Sequence, residues 1–499
     1  MTAVRPRRLT TVLEPDPGRV LARPFVPGEW SGTAGTSRVA AVIGRVLAIA
    51  DDDVRPVLDA VRALFSDRHR DLDAILLRHG RMLQAAHDDL AGVTVDRLRL
   101  VGAYFTQEYA VEAAALTNPS MVPAPGAGPG ADGTARFVLS ARAIGEGHIS
   151  SIVFHTGVID AGGDVRMDPV SGHLVGATRT DTLYDRALFG RQLETAGADA
   201  GVVAAVMGHL PDRFSMEELE SWLRAFAGHQ PDESATHEVV RLSHWLASAN
   251  YTAVFPEDSE IGDRVLFPSG PTESRGMEDA RFVRFADDGV VRYYATYTAY
   301  DGFTIRPQLI HTADFVTFRI ATLNGVREET KGMALFPRRV GGRYVALTRP
   351  DRESIAVATS DHPREWGAGS TVVWRPGSTT WDLVQLGNNG SPIETEAGWL
   401  VLTHGVGPMR RYVLGAMLLD LDDPTRPLGY LPEALLTPSQ DQRDGYVPNV
   451  VYSCGGMLHG NCLVVPYGFS DSGTGIATFD LDAVLDRLTG EGAARVHAA

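Results

Sequence analysis

Apolar positions near the start of the chain recur at helical spacing. From about Asp52 to Leu90 the residues Val54, Val57, Leu58, Val61, Leu64 and Phe65 form one stripe, and Asp51 to Asp53 offer an N-cap. Residues 97–116 continue the pattern through Leu98, Leu100, Tyr104, Tyr109, Val111 and Leu116. The spacing predicts a helical N-terminal domain over 1–115. Within it, the run Asp67-Arg68-His69-Arg70-Asp71 reads as a solvated helix face rather than a binding site. The stretch Pro123-Ala124-Pro125-Gly126-Ala127-Gly128-Pro129-Gly130 can continue neither a helix nor a central strand, because proline lacks a donor and glycine costs backbone entropy. It predicts a surface loop. No Gly-Lys-Ser/Thr closes it, so it is not a phosphate-cradling loop.

Beyond that loop the period changes to two. Arg136 to Arg142 and Ile149 to His155 read as paired antiparallel strands. Helical spacing returns over about 180–248, through Met216, Leu219, Trp222, Leu223, Phe226, Val239, Val240, Leu242 and Leu246, as an insertion in a β domain. From Arg281 the strand pattern recurs in groups opening near Arg281, Ala334, Ser391 and Pro448, for example Arg343 to Thr348 with Ser354 to Ser360, and Trp399 to His404 with Tyr412 to Leu419. Counting the group near 136, there are five groups of short antiparallel strands at intervals of roughly 50 residues. That spacing predicts a mainly β domain over 116–499, a five-bladed β-propeller, with a β-sandwich as the alternative. Leu481 to Leu488 reads as a closing helix.

Composition narrows the class. A formal charge of −16, spread along the chain, argues against a nucleic-acid partner. No run approaches the roughly 18 apolar residues of a membrane span, and Met1 to Arg8 is basic with no apolar run behind it, so no membrane partner and a cytoplasmic setting are expected. Cys454 and Cys462 are too few for a disulfide framework or a cysteine metal site and read as buried small hydrophobes.

There is no Gly-x-Ser-x-Gly, His-Glu-x-x-His, Cys-x-x-Cys or dinucleotide-binding glycine fingerprint, which disfavours hydride, nucleotide and zinc chemistry. What remains is carboxylates, arginines, histidines and aromatics at strand edges, an inventory suited to sugars. The densest cluster, Glu273 to Arg281, holds three carboxylates and two arginines, with Gly276 letting the backbone turn. If the strand alternates regularly, Asp279 and Arg281 share a face. On local pattern alone this cluster is either a site or an ion network pinning a sheet edge.

Glu278-Asp279-Ala280-Arg281 resembles the Glu-Asp-Pro-Arg element of glycoside hydrolase family 130, the mannoside phosphorylases and β-1,2-mannosidases. Similar elements follow in order: Thr296-Tyr297-Thr298-Ala299-Tyr300-Asp301-Gly302, Lys331-Gly332-Met333-Ala334-Leu335-Phe336-Pro337, Ser391-Pro392-Ile393-Glu394-Thr395, His404-Gly405-Val406, Asn449-Val450-Val451 and Tyr467-Gly468-Phe469-Ser470-Asp471. Asn118-Pro119-Ser120 and Gly145-Glu146-Gly147-His148 stand in front. Ala280 replaces the usual proline, and the helical domain and insertion mark a divergent subgroup.

The resemblance implies a five-bladed propeller and an inverting displacement with Asp279 as general acid, its proton passing through a hydroxyl of the bound mannose in the phosphorylases. It implies substrate contacts from Asn118, Ser120, Arg142, Glu278, Arg281, Tyr297, Asp301 and Asp471. A phosphorylase needs a cationic pocket for inorganic phosphate, its co-substrate, and Lys331, Arg349 and His404 stand where such ligands are expected. A hydrolase needs a carboxylate base about 6.5–9.5 Å from the acid, and Glu394 is the candidate. Glu394 alternatively pairs with Arg349 or Lys331. The expected activity is that of a β-mannoside phosphorylase on β-1,2-linked mannosides giving α-mannose 1-phosphate. The alternatives are a β-1,2-mannosidase and, more remotely, a non-catalytic glycan-binding propeller. No cofactor or metal is expected. The helical domain and insertion are expected to support a homo-oligomer or to cap one rim.

Overall fold

The computed structural model describes residues 4–27, 35–126, 128, 130, 132–180, 182–227, 233–326 and 330–490. The readings made on Met1 to Ala3, on Ala127 and Pro129 of the Pro/Gly stretch, and on 181 and 228–232 of the insertion lie outside the described residues. The chain divides into two compact units, Asp16–Ala113 with Val170–Gly176, and the rest.

In the smaller unit, helices Gly35–Leu47, Asp51–Phe65, Leu72–Gln84 and Val95–Tyr104 close on Val39, Ile43, Leu58, Leu83, Leu100, Val101 and Phe105. Asp51 to Asp53 occupy the first turn of their helix rather than its cap, which is Ala50, and there their charge suits the helix dipole. Two helices touch through glycine: a Cβ on Gly102 would stand 1.8 Å from the Leu76 carbonyl oxygen, and one on Gly80 2.2 Å from that of Leu98. Only glycine permits that approach.

Two sequence expectations fail in this unit. Residues 106–116 do not continue the helix, because Thr106–Ala110 pairs antiparallel with Val20–Pro24 and Ala115 opens a strand of the larger unit. The run Asp67 to Asp71 is a turn between helices. His69 is buried there with its Nε2 2.9 Å from Glu108 Oε1, Arg68 donates to the same oxygen at 2.9 Å, and Asp71 caps the next helix through the Ala74 amide. A charged run reads as solvated when its partner, here Glu108, arrives from a distant strand.

The larger unit is mainly β with several helices. Its first group is the antiparallel run Ala115–Pro123, Ala135–Ile144 and Ser150–Ile159. The second is Gly276–Asp287, Val290–Tyr300, Ile305–Thr312 and Thr317–Thr322, extended by Tyr251–Val254. The third is Ala334–Leu335, Tyr344–Thr348, Ile355–Ser360 and Ser370–Trp374. The fourth pairs Gln385–Asn388 and Ile393–Thr395 with Gly398–Val406, then Tyr412–Leu419 and Pro427–Tyr430. The fifth runs from Val451–Tyr452 and Met457–His459 through Cys462–Phe469 to Gly473–Asp480, and its outer strand is Arg7–Leu13. That last pairing corrects the 1–115 boundary, since Arg7–Leu13 belongs to a sheet whose other strands come from the far end of the chain.

Apolar side chains join consecutive groups. Val283, Phe285 and Tyr294 pack with Leu335, Tyr344 and Ala346; Leu347 and Val357 with Trp399 and Val401; and Leu402 and Leu414 with Leu463 and Val465. Helices Arg186–Thr195, Ala200–Met207, Met216–Ala227 and Glu233–Ala249 form the insertion around Phe189, Leu193, Val206, Phe214, Leu219 and Leu246. Leu481–Thr489 is the closing helix, capped by Asp480 through the Ala483 amide. Cys454 is buried and Cys462 only partly so, and both are free thiols. No described helix is long and apolar enough to cross a membrane.

Candidate active site

Two strand irregularities build the site. Strand Gly276–Asp287 slips register between Glu278 and Arg281, and strand Ala115–Pro123 slips between Thr117 and Ser120. At the slips Asp279 and Asn118 take the left-handed backbone, with φ of 55° and 50°. Asp and Asn tolerate that region better than other non-glycine residues. A bulge re-aims the side chain it carries. Here both turn to each other, and Asn118 Nδ2 donates to Asp279 Oδ1 at 2.6 Å. Beyond the slips, the Phe282 amide donates to Ser120 Oγ at 3.1 Å and ties the strands together. The regular alternation of Asp279 and Arg281 expected from sequence is therefore broken. Ser470 and Asp471 are also left-handed, each with φ of 48°. Strained residues gather at this end of the sheets, as they do at functional sites.

Charge is arranged around Asp279 with the cations in excess. Arg142 donates to Glu278 at 2.7 Å and to Ser150 Oγ at 2.9 Å, and stands 3.8 Å from Asp279 Oδ1. Lys331 Nζ is 3.4 Å from the other oxygen of Glu278. Burial pushes the Asp279 carboxyl up, but Arg142, then Arg281 and Lys331, and the Asn118 amide together outweigh it, so its pKa falls below the ordinary value. Asp471 goes the other way. Burial raises it, the charge of Asp279 adds to the rise, and Arg142 and Arg410 only partly oppose.

Next to this pair lie two buried guanidiniums without carboxylate partners. Arg281 gives Nη1 to the Asp279 carbonyl at 2.8 Å, Nη2 to the Tyr452 hydroxyl at 2.9 Å and Nε to the Asn389 carbonyl. Arg349 gives Nη2 to the carbonyls of Arg352 and Leu386, and its buried Nε has no partner among the described residues. Neither arginine has a carboxylate within ion-pair distance among the described residues. Burial and the neighbouring Arg281 charge lower the Arg349 pKa. His404 is 1% exposed, with Nδ1 2.8 Å from Asn389 Oδ1, and burial beside Arg349 and Arg281 holds its pKa well below the usual value. These surroundings favour the uncharged ring over the imidazolium. Glycine makes the room: a Cβ on Gly387 would lie 2.5 Å from the His404 ring and 2.7 Å from Arg349 Nε.

The structure thus brings together Asn118, Ser120, Arg142, Glu278, Asp279, Arg281, Lys331, Arg349, His404 and Asp471. It commits three predicted residues elsewhere. The Tyr297 hydroxyl is buried between Glu273 and Gln308. The Asp301 carboxylate closes its own turn, accepting from the amides of Phe303 and Thr304 at 2.8 and 2.7 Å. Glu394 pairs not with Arg349 or Lys331 but with Arg338, at 2.6 Å, and that guanidinium lies 4.8 Å above the Trp399 ring. Glu394 lines a separate cavity with Met121, Phe282 and Met457 that contains none of Asp279, Arg281, Arg349 and His404. Tyr452, Asn389 and the Cys454 thiol, which burial pushes up to about 12, belong to the site and were missed. The only signals for them were adjacency: Tyr452 follows the Asn449-Val450-Val451 element, and Asn389 precedes Ser391-Pro392. Among the described residues, no cluster of three or more His, Cys, Asp or Glu side chains is arranged to hold a metal ion.

The sequence profile of glycoside hydrolase family 130, described as β-1,4-mannooligosaccharide phosphorylase, matches residues 224–489, just over half of the chain. The chain belongs to glycoside hydrolase family 130. Among its relatives in this family, the β-1,2-mannobiose phosphorylase of Listeria innocua is 33% identical over 230 residues, covering 45% of this chain and 63% of that protein. The 1,2-β-oligomannan phosphorylase of a Thermoanaerobacter species is 34% identical over 221 residues, covering 42% and 70%. The solved structure of the Listeria innocua enzyme in complex with β-1,2-mannobiose shares 23% identity and a TM-score of 0.45, over 76% of this chain and 93% of that one.

Proposed function

We propose that this family-130 chain is an inverting β-mannoside phosphorylase that cleaves β-1,2-linked mannosides with inorganic phosphate and releases α-mannose 1-phosphate. The observation that carries the reading is the pair of buried, carboxylate-free guanidiniums of Arg281 and Arg349 beside Asp279. Two buried guanidiniums with no carboxylate at ion-pair distance, and with Asp279 as the nearby negative charge, leave positive charge in excess, and an anion bound beside them offsets it. Phosphate suits two such forks better than a neutral sugar does. The relatives named as β-1,2-mannobiose and 1,2-β-oligomannan phosphorylases support the linkage.

In this mechanism a phosphate oxygen, held by Arg281 and Arg349 beside the His404 ring, attacks the anomeric carbon. The bond from that carbon to the leaving sugar oxygen breaks. The Asp279 proton goes to the leaving oxygen through a mannose hydroxyl, and Asp471 bonds the same sugar. The unliganded site favours ionised Asp279, which is wrong for an acid. Bound phosphate offsets the Arg281 and Lys331 charges and so raises the proton affinity of Asp279. Arrival of the nucleophile thus prepares the acid.

The same reading gives the larger unit the form of a closed five-bladed propeller. Its support is the sharing of apolar clusters between consecutive sheets and the completion of the last sheet by Arg7–Leu13. A cytoplasmic setting, where inorganic phosphate is plentiful, goes with it. Hydrolysis would need Glu394 as base, and its exposed pairing with Arg338 weighs against that role.

The test is incubation with β-1,2-mannobiose, with and without phosphate. Mannose 1-phosphate formed only when phosphate is present is the expected result. Free mannose released at the same rate without phosphate would overturn the proposal.

A further inference from the structure

The helical insertion meets the strands beneath it around a cavity of 670 Å³ that shares no residue with the Asp279 group. In a chain of net charge −16, its wall carries Arg191, Arg213, Arg319 and Arg364 against a single carboxylate, Asp185. That carboxylate is already engaged, accepting from the Leu188 amide at 2.9 Å as the cap of helix Arg186–Thr195. Arg191 is also engaged, forked onto Glu365 at 2.7 and 3.0 Å. The other three side chains make no ion pair among the described residues. The Arg364 guanidinium donates one bond, to Asn250 Oδ1 at 2.8 Å, and its buried Nε has no partner among the described residues. Burial pulls its pKa down to about 10 in spite of Asp185 and Glu365. The side chains of Arg213 and Arg319 make neither a hydrogen bond nor an ion pair among the described residues, and they come from different elements: Arg213 from the insertion, Arg319 from strand Thr317–Thr322.

Three guanidiniums without ion pairs line one space, two of them exposed and so partly screened by solvent, and an anion between them finds positive charge in excess. Planar guanidinium forks match the oxygens of a phosphate group, and a dianion answers more of the charge than a carboxylate does. The cavity is larger than a bare phosphate needs and falls within the usual range of about 300–1,000 Å³ for small-molecule sites. Thr252 and Thr317 line part of the remainder and suit hydroxyl groups, while the Asn250 and Gln192 amides of the wall are engaged with Thr322.

We infer that this cavity is a second ligand site, separate from the catalytic one, which takes the phosphate monoester of a sugar-sized polyol between Arg213, Arg319 and Arg364. It spans the seam between the insertion and the sheet, so a ligand there fastens one to the other. The inference stands whether or not the phosphorylase reading holds.

Titration calorimetry with mannose 6-phosphate tests it on the full chain. The expected result is saturable binding to the unaltered protein, weakened about tenfold or more in Arg213→Gln/Arg319→Gln and unchanged in Arg349→Gln. Both substituted arginines are exposed, so the double variant folds, and an unchanged melting curve verifies this. Absence of binding by the unaltered protein overturns the inference. So does binding that survives the double substitution, or binding lost only in Arg349→Gln, which would put the ligand in the catalytic site. Inorganic phosphate that binds this site as tightly as the monoester also overturns it, since the site would then hold an anion and not a sugar phosphate.

Discussion

Asp279 and Asp471 share one site but have opposite electrostatics, and the difference has a measurable sign. The Asp279 pKa is lowered in the folded protein, so its charge contributes stability at neutral pH that is lost as pH falls through the folded value. The Asp471 pKa is raised, so its contribution is fully present below the unfolded value, near about 3.9, and is lost as pH rises through the folded one. Asparagine is nearly isosteric and tolerates the left-handed backbone that both residues adopt. Asp279→Asn is therefore expected to lower the melting temperature at pH 8, with the difference shrinking in acid. Asp471→Asn is expected to raise it at pH 8, again with little change near pH 3. In the phosphorolysis assay Asp279→Asn should slow turnover by about 10²- to 10⁴-fold, the usual worth of a positioned acid. Melting shifts of the same sign in the two variants would refute the assigned charge states. The identities of these residues were visible in the sequence through ordered motifs, but their opposite shifts were not, because Arg142 and Asn118 reach them from two different strands and Arg410 from the turn Pro408–Arg410.

The segment leading into the acid shows how elements divide the work of a carboxylate cluster. Glu273, Glu278 and Asp279 are close in sequence, yet Glu273 is fully buried at the end of the short turn Pro271–Glu273, facing away from the site. It accepts from the Tyr251 and Tyr297 hydroxyls and from the amides of Ser269 and Gly270, the latter two at 3.0 Å each. Glu273→Ala leaves the Tyr251 hydroxyl and two amides without this acceptor, while the Tyr297 hydroxyl keeps Gln308, and with each buried unsatisfied donor worth about 1–3 kcal/mol a loss of about 3 kcal/mol or more is expected in denaturant unfolding. Glu394→Ala, which removes an exposed partner of Arg338, is expected to change stability by less than about 1 kcal/mol and to leave phosphorolysis intact. A collapse of activity in Glu394→Ala would return that residue to the chemistry. Strand texture was legible where a short, nearly continuous apolar run is bounded by turn residues, as in Tyr412–Leu419, which is buried along almost all of its length. The bulges at Asn118 and Asp279 were not, because around each slip the strand is largely buried on both faces and carries no apolar–polar alternation whose phase a slip would shift. The three carboxylates looked alike in sequence because only the elements that fold over Glu273, above all the strand of Tyr251, take it out of the site.

At the level of the whole molecule, the strand Arg7–Leu13 lies against Gly473–Asp480, and Arg7 Nε reaches Thr478 Oγ1 at 3.1 Å across 471 positions of sequence. Arg-Arg-Leu-Thr-Thr-Val-Leu has no strand partner nearby in the chain, so a reading from local pattern groups it with the helices that follow. Its actual place is the outer edge of the last sheet. Removing it exposes the ladder groups of Gly473–Asp480 to solvent and to other chains. It also removes the hydrogen bond to Thr478 and the ion pair of Arg7 with Asp164 at 2.9 Å. A chain beginning at Asp16 keeps every residue of the smaller unit and every site residue, so a packing role confined to the helices predicts no change. The structure predicts a lower unfolding midpoint and concentration-dependent aggregation, with the site residues still in place and residual activity at low temperature. A synthetic peptide of residues 4–15, added in trans, should restore the midpoint by adding back the missing strand. A truncated chain that melts at the same temperature as the full one, with or without the peptide, would show that Arg7–Leu13 does not contribute to closing the last sheet.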